Sequence, residues 1–437
     1  MKTLLKSIDT FFFRKISAGG FGLMRIFWAL TVLWWMGTIF PYVSFLYSDA
    51  GLIPTDLGHL TFRSEYRYLL LQFVVDPQFV HILYFSLLIS AFLMCIGKWT
   101  RVSTTLAVIL FFSFQERNLL PLGGGDTVLR CIGFLLIICP ELRAYSIDRA
   151  QLQWKNWQKK KKFLQDLHMS IWPYRLLLFQ AIIIYAFSGI EKGLGAMWWD
   201  GTAIAAIYHH THFTILPKWI MDIMSGGTVV ISYFTLLYEL AWAFVLIPKM
   251  ITKNLPQMIL PGSYKRALML GGLIFHIGIG LTMNVGIFVI SMLVLYFGLM
   301  LPEDWVELKK FFNRKQKGKT SLLYDGTCGL CQRSVCFLSQ MDSLGRLQYV
   351  DFHDEKLRKK IDPSLKFADL DKAMHMKSAS GRTEKGFDGF RMISWDIIWL
   401  WPIAPFLYIP GIPVIGRIIY AEIAKRRKKC DHESCAI

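Results

Sequence analysis

The sequence predicts an α-helical polytopic membrane protein of about eight transmembrane helices, followed by a small C-terminal α/β domain. Three observations carry this reading. Of 437 residues, 54% are hydrophobic and only 18% charged, against about 25% charged in ordinary globular domains. The apolar residues come in long runs rather than scattered, giving a mean hydropathy of +0.39, the pattern of a chain that crosses a bilayer repeatedly. Five of the eight cysteines, Cys328, Cys331, Cys336, Cys430 and Cys435, fall in the last quarter of the chain, which marks a separate module.

Apolar segments suited to spanning lie at 20–46, 78–96, 102–119, 126–141, 172–193, 226–248, 267–284 and 286–302. Each is near the ~20 residues that cross a hydrocarbon core. Only Asn284-Val-Gly286 separates the last two, so a re-entrant or kinked arrangement is the alternative there. The first run, from about Gly20, is too long for a signal-peptide core and lacks a small-residue cleavage site, so it reads as the first span. Charge then orients the spans. Lys2, Lys6, Arg14 and Lys15 precede the first span, and Lys98 and Arg101 follow the second. Lys155–Lys162 follow the fourth, Lys249, Lys253, Lys265 and Arg266 the sixth, and Lys309–Lys319 the eighth. All these basic loops share one side, which predicts cytoplasmic N- and C-termini. The net charge of +18 is explained in the same way, and no nucleic-acid module accompanies it.

The chain divides at 305. Residues 306–319 form a basic linker, and 320–437 form the C-terminal domain. There, Ser321–Asp325 reads as a strand, Cys331–Met341 as a helix and Leu347–Phe352 as a second strand. The apolar stretch from Trp395 is broken by Pro402, Pro405, Pro410 and Pro413. Such breaks favour short helices on the domain or at the membrane surface over a ninth span.

Ionisable residues inside spans are costly and therefore candidates for function. Arg25, Arg130, Glu239 and His276 qualify, and Asp126 lies four residues before Arg130, close enough to pair on one helix. Structural ion pairs or snorkelling are the alternative for the charged three, and an interhelical hydrogen bond for His276. Glu191 and Lys192 close a long helix ahead of the Gly-rich, Trp-rich segment that holds Trp198 and Gly201. Desolvation there would lower the proton affinity of Lys192 and make it a usable base; a snorkelling lysine is the plainer reading. His209, His210 and His212 could ligate a metal, but no carboxylate is spaced to complete the set.

Arg25, Arg117–Pro140, Ser188–Gly201 and Phe275–Phe297 together resemble the HTTM family, the membrane domain shared with vitamin K-dependent gamma-carboxylases. The resemblance covers roughly residues 10–305. It implies a site for a quinone of the vitamin K or menaquinone type, or another lipid-soluble substrate, with Lys192 in the position of the base that deprotonates the hydroquinone. Arg25, Asn118, Asp126, Arg130, Glu191, Trp198, Gly201 and His276 are the residues the resemblance brings to that site. Glu191 stands where the animal enzymes carry a second lysine, and Asn118 is followed by Leu119 rather than histidine.

Residues 320–430 resemble the DCC family of thiol-disulfide oxidoreductases, through Asp325, Cys328 and Cys331 and the late Pro410–Arg427 segment. The resemblance implies a thioredoxin-like fold. A strand delivering Cys328 to a helix N-terminus suits a stabilised thiolate, and Cys331 is placed to resolve a mixed disulfide. The alternative is a zinc site combining Cys328 and Cys331 with Cys430, His432 or Cys435. The expected setting is a bacterial inner membrane. The expected functions are membrane thiol-disulfide chemistry, carboxylase-like modification of peptides, or a non-enzymatic zinc-stabilised assembly factor or transporter. The expected partners are the bilayer, a quinone and a thiol-bearing protein or peptide.

Overall fold

The computed structural model describes residues 2–55, 57, 71, 76–160, 164, 166–246, 261–316 and 318–425. The chain forms two compact units, Met1–Asp148 with Asp166–Asp304, and Arg149–Gln165 with Trp305–Ile437.

The first unit is helical. The Pro77–Ile96 helix shows how its sequence builds it. Asp76 accepts hydrogen bonds from the Gln78 and Phe79 amides, and Pro77 occupies the first turn, where its missing N–H costs nothing. Val80, Tyr84, Leu87, Ala91 and Met94, spaced three and four apart, face the core. Phe79, Ile82, Phe85, Ile89 and Phe92 on the other side are exposed. A helix apolar on every side suits a core on one side and lipid on the other. The Gly19–Ile39 helix packs beside it, and its Trp28 Nε1 donates to the Leu129 carbonyl at 2.9 Å while its ring meets Phe111 edge-on. Two short strands, β1 (Lys15–Ser17) and β2 (His168–Ser170), pair antiparallel and bring the starts of the Gly19 and Trp172–Gly193 helices together.

Among the described residues, four helical stretches are long and apolar enough to cross a membrane: Gly19–Tyr47, Pro77–Ile96, Trp172–Gly193 and Thr228–Val245. These coincide with four of the eight expected spans. The other four expected spans also contain helices, but these fall short for identifiable reasons. Thr100–Arg117 carries Arg101, Glu116 and Arg117, and Pro261–Thr282 begins with Lys265 and Arg266. Gly124–Ile138 has 15 residues, about 22 Å at 1.5 Å per residue and shorter than a ~30 Å hydrocarbon core. Phe288–Gly298 has 11 residues and turns by 104° into the Pro302–Asn313 helix, so it forms a fifth span only as half of a bent pair.

The second unit contains a four-stranded sheet in the order β4 (Leu347–Asp351), β3 (Thr320–Tyr324), β5 (His375–Lys377), β6 (Thr383–Lys385). Strand β3 is buried throughout and pairs parallel with β4. It pairs antiparallel with β5, which in turn pairs antiparallel with β6. The parallel pair requires a crossover, and the Gly329–Met341 helix supplies it. Leu322, Val335, Leu338, Leu347, Met376 and Ile393 form the core with both motif cysteines. The Ile147–Lys160 helix belongs largely to this unit, where Gln153 Nε2 donates to Ser339 Oγ at 2.9 Å and Arg333 lies over the Trp154 ring. After the Gly386–Ile393 helix, the Pro-broken segment forms short turns and the Ile412–Lys425 helix rather than one long helix. Cys430, His432 and Cys435, expected as zinc ligands, lie outside the described residues.

Candidate functional site

In the second unit, the chain leaves β3 at Tyr324 and enters the Gly329–Met341 helix within four residues. Asp325 organises this turn. Its Oδ1 accepts from the Thr327 amide at 2.8 Å and the Thr327 hydroxyl at 2.7 Å, and its carbonyl accepts from the Cys328 amide. The Asp351 carboxylate, at the end of β4, accepts from the Gly326 and His353 amides and from His353 Nδ1. The Gln332 side-chain amide donates to the Gly326 carbonyl. A Cβ on Gly326 would sit 1.8 Å from Asp351 Oδ2, so any larger residue must displace that carboxylate.

Cys328 caps the helix, its Sγ accepting from the Cys331 amide at 3.4 Å. The sulfur thus faces the unsatisfied N–H groups and the positive dipole end of the first turn, which favour a thiolate. Cys331 lies one turn away on the same helix, and both cysteines are buried, at 1% and 2% exposure. Further along the helix, burial pushes the Cys336 thiol up to about 11. Beside Cys331 opens an apolar cavity of about 290 Å³, walled by Leu330, Met374, Phe387, Phe390 and Tyr420. The structure therefore brings Asp325, Cys328 and Cys331 together. The roles of Asp351, Gly326 and Gln332 were missed, since Asp351 comes 26 residues after Asp325 and only the parallel register of β3 with β4 places it there.

The first unit holds a separate cavity of about 450 Å³. Lys192, Trp198, Glu239 and His276, four of the residues singled out in the sequence, line it. Lys192 Nζ forms an ion pair with Glu239 at 2.9 Å, donates to Ser188 Oγ and lies 5.4 Å from the Trp198 ring centroid. His276 Nε2 lies 2.7 Å from the Tyr185 hydroxyl, which also hydrogen-bonds the Tyr296 hydroxyl. His276 Nδ1 is buried with no hydrogen-bond partner in the structure. Trp242 stacks on Tyr185 at 4.7 Å. Much of the wall is apolar, including Ile184, Ile207, Phe234 and Ile274.

The remaining expected site residues lie elsewhere in this unit. Arg25 is fully buried and donates to the Ala144 and Tyr145 carbonyls. Asn118 ties Leu46 to Leu120. Asp126 caps its own helix through the Gly123 amide and accepts from Gln115. Arg130 pairs with Glu116 rather than with Asp126, because the capping bonds turn the Asp126 carboxylate back toward the helix start. Glu191 is exposed. Gly201 has φ +74, and a Cβ there would lie 2.7 Å from Val229 Cγ1, so its role is backbone geometry. Among the described residues no three His, Cys, Asp or Glu side chains gather as metal ligands, and His209, His210 and His212 form no such group.

A central strand that delivers a buried Cys-x-x-Cys to the head of a helix is the arrangement used by proteins of thiol-disulfide exchange. Comparison agrees with that class. Residues 322–432 match the family model of the DCC1-like thiol-disulfide oxidoreductases, which supports such a domain at the C-terminus. The chain is also 25% identical over 138 residues to an uncharacterized chloroplastic protein of Arabidopsis thaliana, an alignment covering 28% of this chain. The chain spans 64% of that relative's length. No solved structure matches.

Proposed function

We propose that this chain is an integral membrane redox protein whose C-terminal unit exchanges thiols and disulfides through Cys328 and Cys331. The observation that carries the reading is the Cys328 sulfur at the helix N-terminus with the Cys331 amide pointed at it. The Cys328 thiolate attacks a substrate disulfide, forming a mixed disulfide and releasing one substrate thiol. Cys331 then attacks Cys328 Sγ, forming the intramolecular disulfide and releasing the second thiol. Two electrons and two protons pass to the substrate. Asp325 holds the turn and is a positioning residue. Because both sulfurs are buried, exchange requires local opening of the Asp325–Cys331 turn, and the apolar cavity beside Cys331 favours a substrate with an apolar face. The topology proposed is eight spans with both termini cytoplasmic, in a bacterial inner membrane. There a structural disulfide would not persist, so the pair would cycle.

Trapping tests this reading. Cys331→Ser in the full chain should accumulate mixed disulfides at Cys328 that dithiothreitol releases, while Cys328→Ser should accumulate none. Equal trapping by both variants, or by neither, would refute it.

For the first unit, a specific observation favours a second activity: an orphaned buried nitrogen, His276 Nδ1, and the Lys192–Glu239 pair share one apolar cavity. These residues fit a quinone-type or other lipid-soluble ligand with polar oxygens. His276 and Tyr185 would orient an oxygen, and Lys192, held by Ser188 and Glu239, would accept or hold a proton there. A bound quinone would supply two-electron chemistry. Retention of a quinone by the purified protein in native mass spectrometry, lost in Lys192→Ala and His276→Ala, is the expected result.

A further inference from the structure

Four helices of the first unit bring hydrogen-bonding side chains to one point beside its cavity. Tyr185 on the Trp172–Gly193 helix, Tyr238 on Thr228–Ala241, His276 on Pro261–Thr282 and Tyr296 on Phe288–Gly298 are all buried. Gly272 makes room for them, since a Cβ there would lie 1.8 Å from the Tyr296 hydroxyl and 2.3 Å from that of Tyr238. Their contacts form one chain. Tyr238 Oη lies 2.9 Å from the Leu268 carbonyl and 3.3 Å from Tyr296 Oη. Tyr296 Oη meets Tyr185 Oη, which lies 2.7 Å from His276 Nε2.

Each hydroxyl has a single proton and a carbonyl only accepts, so the Leu268 end fixes the order. Tyr238 donates to Leu268, which leaves its oxygen to accept from Tyr296. Tyr296 then has no proton to offer Tyr185, so Tyr185 donates to it. Tyr185 in turn has none for the ring, and His276 Nε2–H donates to the Tyr185 oxygen. This is the one ordering that puts a proton in every contact; its reversal would set the Tyr238 and Tyr296 oxygens lone pair to lone pair. A neutral imidazole has one N–H, so Nδ1 is left as a bare acceptor. A doubly protonated ring would instead present a charged N–H with no acceptor in a largely apolar cavity, at high cost. His276 Nδ1 has no partner among the described residues, and neither has Thr235 Oγ1 on the wall of the same cavity.

We propose that the tyrosine chain holds His276 as the Nε2–H tautomer, so that the cavity selects a lipid-soluble molecule carrying a hydroxyl that donates to Nδ1. A ligand of the same shape with only acceptor oxygens leaves Nδ1 unpaired, and an unpaired buried group costs more than a typical hydrogen bond contributes. The hydroxyl oxygen can itself accept, which suits a wall that also presents Thr235. His276 determines specificity, and Tyr296 is a positioning residue that acts through Tyr185. The inference rests on the reading of this cavity as a ligand site, and adds which hydrogen-bonding group the ligand must offer.

A matched pair of probes tests it in the detergent-solubilised full chain: para-hexylphenol, which donates, and para-hexylanisole, in which a methyl replaces that proton. Titration calorimetry against empty micelles should show the phenol binding about tenfold or more tighter, the factor for a buried acceptor paired against one left open. In Tyr296→Phe the order is lost, Tyr185 is free to donate to Nε2, and the preference should fall to about threefold or less. Nitrogen NMR of the histidine-labelled parent, with the His276 signals identified by their loss in His276→Gln, should show Nε2 protonated and Nδ1 bare. A protonated Nδ1, or an undiminished phenol preference in Tyr296→Phe, would overturn the proposal. Equal binding of the two probes would overturn the donor selectivity while leaving the cavity a ligand site; saturable binding of neither would overturn both.

Discussion

Gly326→Ala tests the architecture of the dithiol turn quantitatively. The new methyl would be placed 1.8 Å from Asp351 Oδ2 and 2.4 Å from its Cγ, so the carboxylate must move. Asp351 Oδ1 accepts from the Gly326 amide at 3.0 Å and from His353 Nδ1 at 2.9 Å, and displacement lengthens both contacts. Overpacking of this kind costs about 1–3 kcal/mol, and a lost hydrogen bond adds about 1 kcal/mol. A local destabilisation of about 2–4 kcal/mol raises the open population of the turn about 30- to 700-fold, at 1.4 kcal/mol per tenfold. Cys328 and Cys331 are 1% and 2% exposed, so alkylation must pass through that opening. Iodoacetamide labelling of the detergent-solubilised chain, read by peptide mass spectrometry, should accelerate by that factor at both cysteines. Cys139, buried in the other unit, serves as the unaffected control. Labelling of Cys328 and Cys331 within threefold of the parent rate would refute the reasoning.

The other expectations are narrower. Cys336, whose thiol burial pushes up to about 11, should label more slowly than a surface thiol at pH 8, its rate rising about tenfold per pH unit as the thiolate fraction grows; a plateau below pH 9 would contradict this. Glu239→Gln and Lys192→Met should each destabilise the first unit by leaving a half-buried partner charge, of order 3–5 kcal/mol, while the double variant recovers much of the loss in thermal-aggregation assays. Additive losses would argue against the pair. Asp362 is held down to about 2 by donors from Ser364 and Lys377. Its contribution to stability is therefore present above the unfolded value near 4 and lost as pH falls through 2. Asp362→Asn should lower stability at pH 7 and converge with the parent below pH 2 in limited-proteolysis midpoints; a constant offset would contradict the assignment.

What the sequence disclosed and what it withheld follow from the range of the interactions. The dithiol turn was legible because it is local: a strand, a short turn and a helix cap lie within twelve residues of each other. The four helical stretches long and apolar enough to cross a membrane were legible because length and composition decide them. The other segments are not decided in this way, because hydropathy does not register a 15-residue limit or a 104° bend. Lys192 was found, but its partner Glu239, 47 residues on, follows only from packing of the Trp172 and Thr228 helices. The Asp126–Arg130 spacing permitted a pair, yet capping claimed the carboxylate and Glu116 took the arginine. Asp351 entered the dithiol site through sheet register, which no motif encodes.

The central claim is that Cys328 and Cys331 form a reversible disulfide. Equilibration of the full chain across a series of reduced-to-oxidised dithiothreitol ratios, followed by acid quench and peptide mass spectrometry, measures it directly. The account predicts one Cys328–Cys331 crosslink, heavier in the reduced form by two hydrogens, with a single midpoint consistent with a two-electron couple. Both cysteines remaining thiols across the whole series, or zinc retained in their place, would contradict it.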